Sequence, residues 1–203
     1  MMDHRVQNVG LLHADALALY SDVVNGTADS IIKDLGAAIE NLKSNWEGRD
    51  AGIQINNVVD VYNAMVKIRN ALAELAKDST TVAAQYRKIQ NANRANLEDL
   101  APASFVEERA PIGSYSDNRD TININPEALA GKTLLDNVND RYDEFHAGVR
   151  SAYQKIMDNW QAGTGRDKAV AAFDDFMSSS NKYKGILVDV SASINDALKN
   201  YQL

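Results

Sequence analysis

All three prolines of the chain, Pro102, Pro111 and Pro126, fall within one 25-residue stretch, and no other proline occurs in the 203 residues. Proline removes a backbone donor and collides with the preceding helical turn, so the two flanking segments are free to form long helices. The expected plan is helices, a connector, and helices again.

The second segment carries the clearer pattern. From Leu135 its apolar positions run Leu135, Val138, Tyr142, Phe145, Val149, Ala152, Ile156, in alternating steps of three and four. They resume as Ala169, Phe173, Phe176, Ser180, Tyr183, Leu187, Val190, Ile194, Ala197, Tyr201. A mean spacing near 3.5 keeps a narrow seam facing one partner, the mark of left-handed, coiled-coil-like packing. Tyr142, Phe145, Phe173, Phe176 and Tyr183 are accordingly expected in the core. In "ININPEAL" Asn125 suits a helix cap, Pro126 the first helical position and Glu127 the positive end of the dipole, so a helix is expected to start there.

The first segment repeats the plan less cleanly. Ile31, Leu35, Ile39, Leu42 and Trp46 line one face, and Ile55, Val58, Tyr62, Met65, Leu72, Ala76, Ala83 and Tyr86 line another. Gly26 and Gly36 each weaken a helix by about 1 kcal/mol relative to alanine. A break or bend near "VNGT", with Thr27 as a new cap, is expected. The connector carries Phe105, Val106, Ile112, Tyr115, Ile122 and Ile124 among its prolines and charges. Its apolar residues suit a strap lying against the helices, and its composition equally suits a flexible linker; "TININ" reads as a short extended piece.

Only two tryptophans occur, in "NWEGRD" and "NWQAGTGRD", each shortly before a glycine and an Arg-Asp pair. A helix that turns back needs a residue at positive φ after its last turn, which glycine supplies without steric cost. Gly48 fits, as do Gly163 and Gly165. The tryptophan then covers the open end of the seam, its indole N–H within reach of a carbonyl, while Asp50 and Asp167 open the returning helix.

Helix, Trp-x-Gly turn, helix, in a unit of about a hundred residues, resembles the WXG family of small substrates of bacterial type VII secretion systems. The second half is the more similar: "ININPEAL" looks like the family's opening, Trp160 and Gly163 its elbow, Ala169 and Phe173 its small-then-aromatic continuation. The first half matches in Trp46 and Gly48. The second elbow departs from the pattern by one extra residue, and neither returning helix is followed by the Tyr-x-x-x-Asp/Glu export signal of some branches. The resemblance implies a tandem, single-chain version of what the family builds by pairing two proteins. Its fold would be all-α, with residues 1–100 and 125–203 as two antiparallel helical hairpins in a four-helix bundle, joined by the Pro-containing connector 101–124.

By the same resemblance, the chain would be a secretion substrate or carrier acting by protein recognition, with the secretion ATPase and a co-secreted protein as partners. It would be exported from the cytoplasm without a Sec signal peptide, as a monomer with paired hairpins or as a homodimer. Trp46, Gly48, Trp160 and Gly163 would mark its docking features. A scaffolding adaptor that stays in the cell, and the helical targeting domain of a secreted toxin, are the rival readings.

Composition excludes much else. A formal charge of -7, with Lys and Arg scattered, leaves no basic stripe for nucleic acid or an anionic membrane. No cysteine is present for a disulfide, a thiolate metal site or a thiol nucleophile. The first twenty residues lack the pattern of a Sec leader, and no apolar run approaches a membrane span. Asp143-x-x-His146 lacks the second acid-x-x-His of a di-iron bundle, and "GTGRDK" lacks the spacing of a phosphate loop. No nucleophile elbow occurs. An enzyme, a metal site and a cofactor are therefore not expected.

Overall fold

The computed structural model describes residues 5–105 and 108–201. The protein is all-α, mostly helical with a few very short strands. Helix α1 (Val9–Ala18) runs through a π-helical stretch (Leu19–Ala28) into α2 (Asp29–Asn45), followed by α3 (Arg49–Ala92), α4 (Ala128–Asn159) and α5 (Thr164–Tyr201). The strands are β1 (Arg5–Val6), β2 (Trp46–Glu47), β3 (Asn123–Ile124) and β4 (Trp160–Ala162), in two antiparallel pairs, β1 with β4 and β2 with β3.

Two compact units form, each drawing on three stretches of chain. The first comprises the described parts of 1–28, 68–109 and 145–177, and the second those of 29–67, 110–144 and 178–203. Helices α3, α4 and α5 each contribute to both.

In the first unit the core joins Leu12, Leu19 and Val24 to Leu72, Leu75, Phe145, Val149, Ile156 and Phe176, all buried. Phe145 meets Phe176 edge to face at 5.8 Å, and Tyr153 stacks on Phe173 at 3.8 Å. Phe173 is nonetheless half-buried rather than enclosed, against the expectation of a core position. In the second unit Ile31, Leu35, Ile39 and Leu42 share the interior with Ile55, Val58, Met65, Leu135, Val138, Leu187, Val190 and Ile194. Enclosing each such side chain contributes about 1.5–3 kcal/mol. Burial pushes the Tyr142 phenol up to about 12, with the neighbouring Ser180 acting in the opposite direction.

The seams of α4 and α5 are occupied as their spacing predicts, with Ala152, Phe173 and Tyr183 half-buried; the side chain of Tyr201, like Val106, lies outside the described residues. His146 is half-buried, its ring 6.1 Å from Phe176.

Three local expectations are corrected. The "VNGT" segment does not break the helix. It continues as wider π turns in which Thr27 Oγ1 donates back to Val23 O at 3.3 Å instead of capping forward. Helix α4 begins at Ala128, preceded by a tight turn in which Ala128, Leu129 and Ala130 donate to the carbonyls of Asn125, Pro126 and Glu127. The side chain serving its first turn comes from α2: Asn41 accepts from Gly131 N at 3.0 Å and donates to Glu127 O at 3.2 Å. Gly165 does not form the turn but lies within α5 against Asp78.

Helix α3 departs most from a single narrow seam. A second stripe runs Gly52, Asn56, Val59, Asn63, Val66, Asn70, Ala73, Lys77, Thr80, Ala84, Arg87, Asn91, again in steps of four and three. The connector follows it. In the second unit Asn63 Nδ2 donates to Ile112 O at 3.0 Å while its Oδ1 accepts from Ile112 N at 2.9 Å. Asn56 holds Tyr115 in the same two-ended way. In the first unit Asn70 so holds Arg109, and Asn91 holds Leu97. There Thr80 Oγ1 also accepts from Ala103 N at 3.0 Å, His13 bonds Ala101 O at 2.8 Å, and Tyr20 stacks on Phe105.

Candidate docking site at the two tryptophan elbows

Each tryptophan ends a helix and enters a two-stranded pairing. In the second unit Trp46 pairs with Ile124 and Glu47 with Asn123, and Asn125 N donates to Asn45 O at 2.8 Å. In the first unit Trp160 pairs with Val6, and Gln7 N donates to Asn159 O at 3.0 Å. The correspondence is residue for residue: Val6 stands where Ile124 does, Gln7 where Asn125 does, Asn159 where Asn45 does. Each clamping strand lies just before a helix, α1 with its Asn8 cap or α4. The strand that opens one half of the chain thus closes the elbow of the other half.

The extra residue of "WQAG" has a structural place. Adjacent residues Arg5 and Val6 pair with Ala162 and Trp160, so Gln161 is unmatched and the register shifts as at a β-bulge. The added length brings Ala162 O to 2.6 Å from Trp160 Nε1, which donates to it. Both indoles are enclosed, Trp46 at 2% and Trp160 at 1% exposure, yet Trp46 Nε1 has no partner among the described residues. Gly48 turns the chain at φ +115° and Gly163 at +149°. A Cβ on Gly48 would stand 2.6 Å from Thr121 O, a contact no side chain tolerates.

The shared Arg-Asp pair serves the two elbows differently. Arg166 Nε donates to Trp160 O at 2.9 Å, bracing the second turn. Arg49 instead makes an exposed ion pair with Asp120 at 3.0 Å. Asp50 and Asp167 occupy the first turns of α3 and α5, where an acid meets the dipole.

A second layer at the first elbow escapes the sequence reading. Gly48 N donates to Asp117 Oδ2 at 3.0 Å, and Arg119 grips the same carboxylate through Nε at 2.9 Å and Nη2 at 2.7 Å. Nη1 of Arg119 reaches Glu47 Oε1 at 2.8 Å. The Arg119 side chain, then the Gly48 amide, hold the Asp117 carboxyl well below the usual carboxylate range. Asp117 and Arg119 follow no periodicity and sit in the connector; a buried acid beside a turn glycine is visible only once the chain has folded back.

Among the described residues no group of three His, Asp or Glu side chains is placed to hold a metal ion, and no helix is long and apolar enough to cross a membrane. No protein-family model matches the chain, and no curated protein or solved structure matches it either.

Proposed function

We propose that the chain is a tandem relative of the WXG proteins that acts by protein recognition in a type VII secretion system, as substrate or as carrier partner. On this reading residues 1–100 and 125–203 are two antiparallel helical hairpins in a four-helix bundle, and 101–124 is the connector between them. The observation that carries it is the reciprocal closure of the elbows, Trp46 by Ile124 and Trp160 by Val6. Two units that elsewhere pair as separate proteins would make such reciprocal contacts, and a single chain that joins them keeps both.

The elbows would dock through their rims, because both indoles are enclosed. At the first elbow Ile53 and Ile122 are exposed large apolar residues, with the Arg49–Asp120 pair beside them. Apolar anchors ringed by charge suit a protein partner such as the secretion ATPase. The test is an immunoblot of culture supernatants from producing cells with an intact system and from cells lacking its ATPase. Export that depends on the ATPase is the expected result, and equal amounts in both supernatants overturn the reading. Retention inside cells with an intact system points to the scaffolding adaptor instead.

A further inference from the structure

In the second unit residues 110–120 are held to the turn before α3 and to its first turns by contacts with main-chain or charged groups, and none of them reads the identity of an apolar side chain. Asn56 and Asn63 each grip one residue by its main-chain N–H and C=O, at Tyr115 and Ile112. Gly48 N donates to Asp117 Oδ2, and Arg119 pairs with Glu47. Gly52 lets the backbone in: a Cβ there would stand 3.0 Å from Asp117 N.

The spacing is matched. The seven helical steps from Asn56 to Asn63 rise about 10.5 Å, and the three extended steps from Ile112 to Tyr115 span about 9–10 Å. An asparagine amide has the donor and acceptor that one peptide unit needs, so a heptad of asparagines on a helix reads an extended strand as a neighbouring β-strand would.

We propose that this face of α3, with Asn56 and Asn63 as rungs and Gly48, Glu47 and Gly52 as the anchor end, is a main-chain-reading peptide site. Its occupant in trans is the 110–120 segment of a second copy of the chain. The second copy is favoured because its segment presents the same Asp-x-Arg anchor to Gly48 and Glu47 and the same free main-chain groups to the asparagines. The resident strap holds the site by proximity: a tethered segment acts at an effective concentration in the mM range. Whatever loosens it exposes the site to the strap of another molecule. The inference is independent of the secretion reading.

The test uses the full chain and a fluorescent synthetic peptide of residues 110–120. Ile112→Pro with Tyr115→Pro removes the two amides that donate to Asn63 and Asn56 and leaves the helix face untouched. That variant is expected to bind the peptide at least about tenfold more tightly than the unmodified chain, whose own strap competes. Adding Asn56→Leu and Asn63→Leu is expected to abolish the gain, with helicity by circular dichroism unchanged. A second release, Asp117→Ala with Arg119→Ala, frees the other end of the strap and is expected to give the same gain should the proline variant misfold. Absence of any gain in the folded release variants, or a gain indifferent to the two asparagines, overturns the proposal. With a donor-labelled release variant, whose site is open, and an acceptor-labelled chain carrying Asn56→Leu and Asn63→Leu, whose intact strap has lost its own rungs, energy transfer on mixing is expected; its absence alongside peptide binding removes the second copy as occupant.

Discussion

The main-chain amide of Gly48 and the carboxylate of Asp117 meet at 3.0 Å, 69 residues apart in sequence. One supplies the positive φ that reverses the chain; the other satisfies the donor that the reversal would leave unpaired. Arg119 in turn neutralises the carboxylate.

This arrangement sets a dependence on pH. The ordinary value of the Asp117 carboxyl is 3.8 and its folded value is lower. An acid depressed by folding stabilises the protein fully above its unfolded value, and that contribution is lost as pH falls through the folded one. Urea midpoints measured from pH 7 to pH 2 are expected to fall below about pH 4, and Asp117→Asn is expected to flatten that acid limb. An unchanged limb in the variant removes Asp117 as a source of the dependence.

Gly48→Ala combines a left-handed backbone with the contact on Thr121 O. Strain of this kind costs about 1–3 kcal/mol, and the contact adds to it. Chemical denaturation that leaves the variant within a few tenths of a kcal/mol of the parent contradicts the geometry of the first elbow.

The two indoles differ in one hydrogen bond. Trp160→Phe removes the donor to Ala162 O, whereas Trp46→Phe removes a donor that has no partner. The first is expected to cost about 1 kcal/mol more than the second. Trp160→Ala, which empties an enclosed site, is expected to cost about 3–5 kcal/mol. A melting temperature unaltered by Trp160→Ala would place that side chain in solvent.

Asn63→Ala unties both main-chain groups of Ile112. Hydrogen exchange is expected to show the Ile112 amide protected in the parent and released in the variant, with global stability lowered by about 1 kcal/mol. Equal exchange in both would mean the strap is held by something other than its rungs.

The seams of α4 and α5 were legible because helical periodicity is local: each side chain's face follows from its position modulo the turn, whatever lies opposite. The elbow glycines were legible for a like reason, since positive φ is a property of a single residue. Asn56, Asn63, Asn70 and Asn91 also stood in the sequence at multiples of seven. They went unread because polar residues on a helix ordinarily face water, and nothing local distinguishes an amide that meets solvent from one that meets a returning strand. The same holds for Asp117, whose burial depends on Gly48 and Arg119 arriving beside it.

By itself, then, the order of residues determined that long helices flank the connector, which stripe of α4 and α5 is apolar and which glycines, Gly48 and Gly163, take positive φ, because those outcomes depend on neighbours within a turn or two. Only the tertiary structure decided which strand closes each tryptophan elbow, that the connector is strapped to α3, and which of two similar indoles finds a carbonyl. Those outcomes depend on groups many tens of residues apart, whose pairing is chosen by the packing of the helices between them.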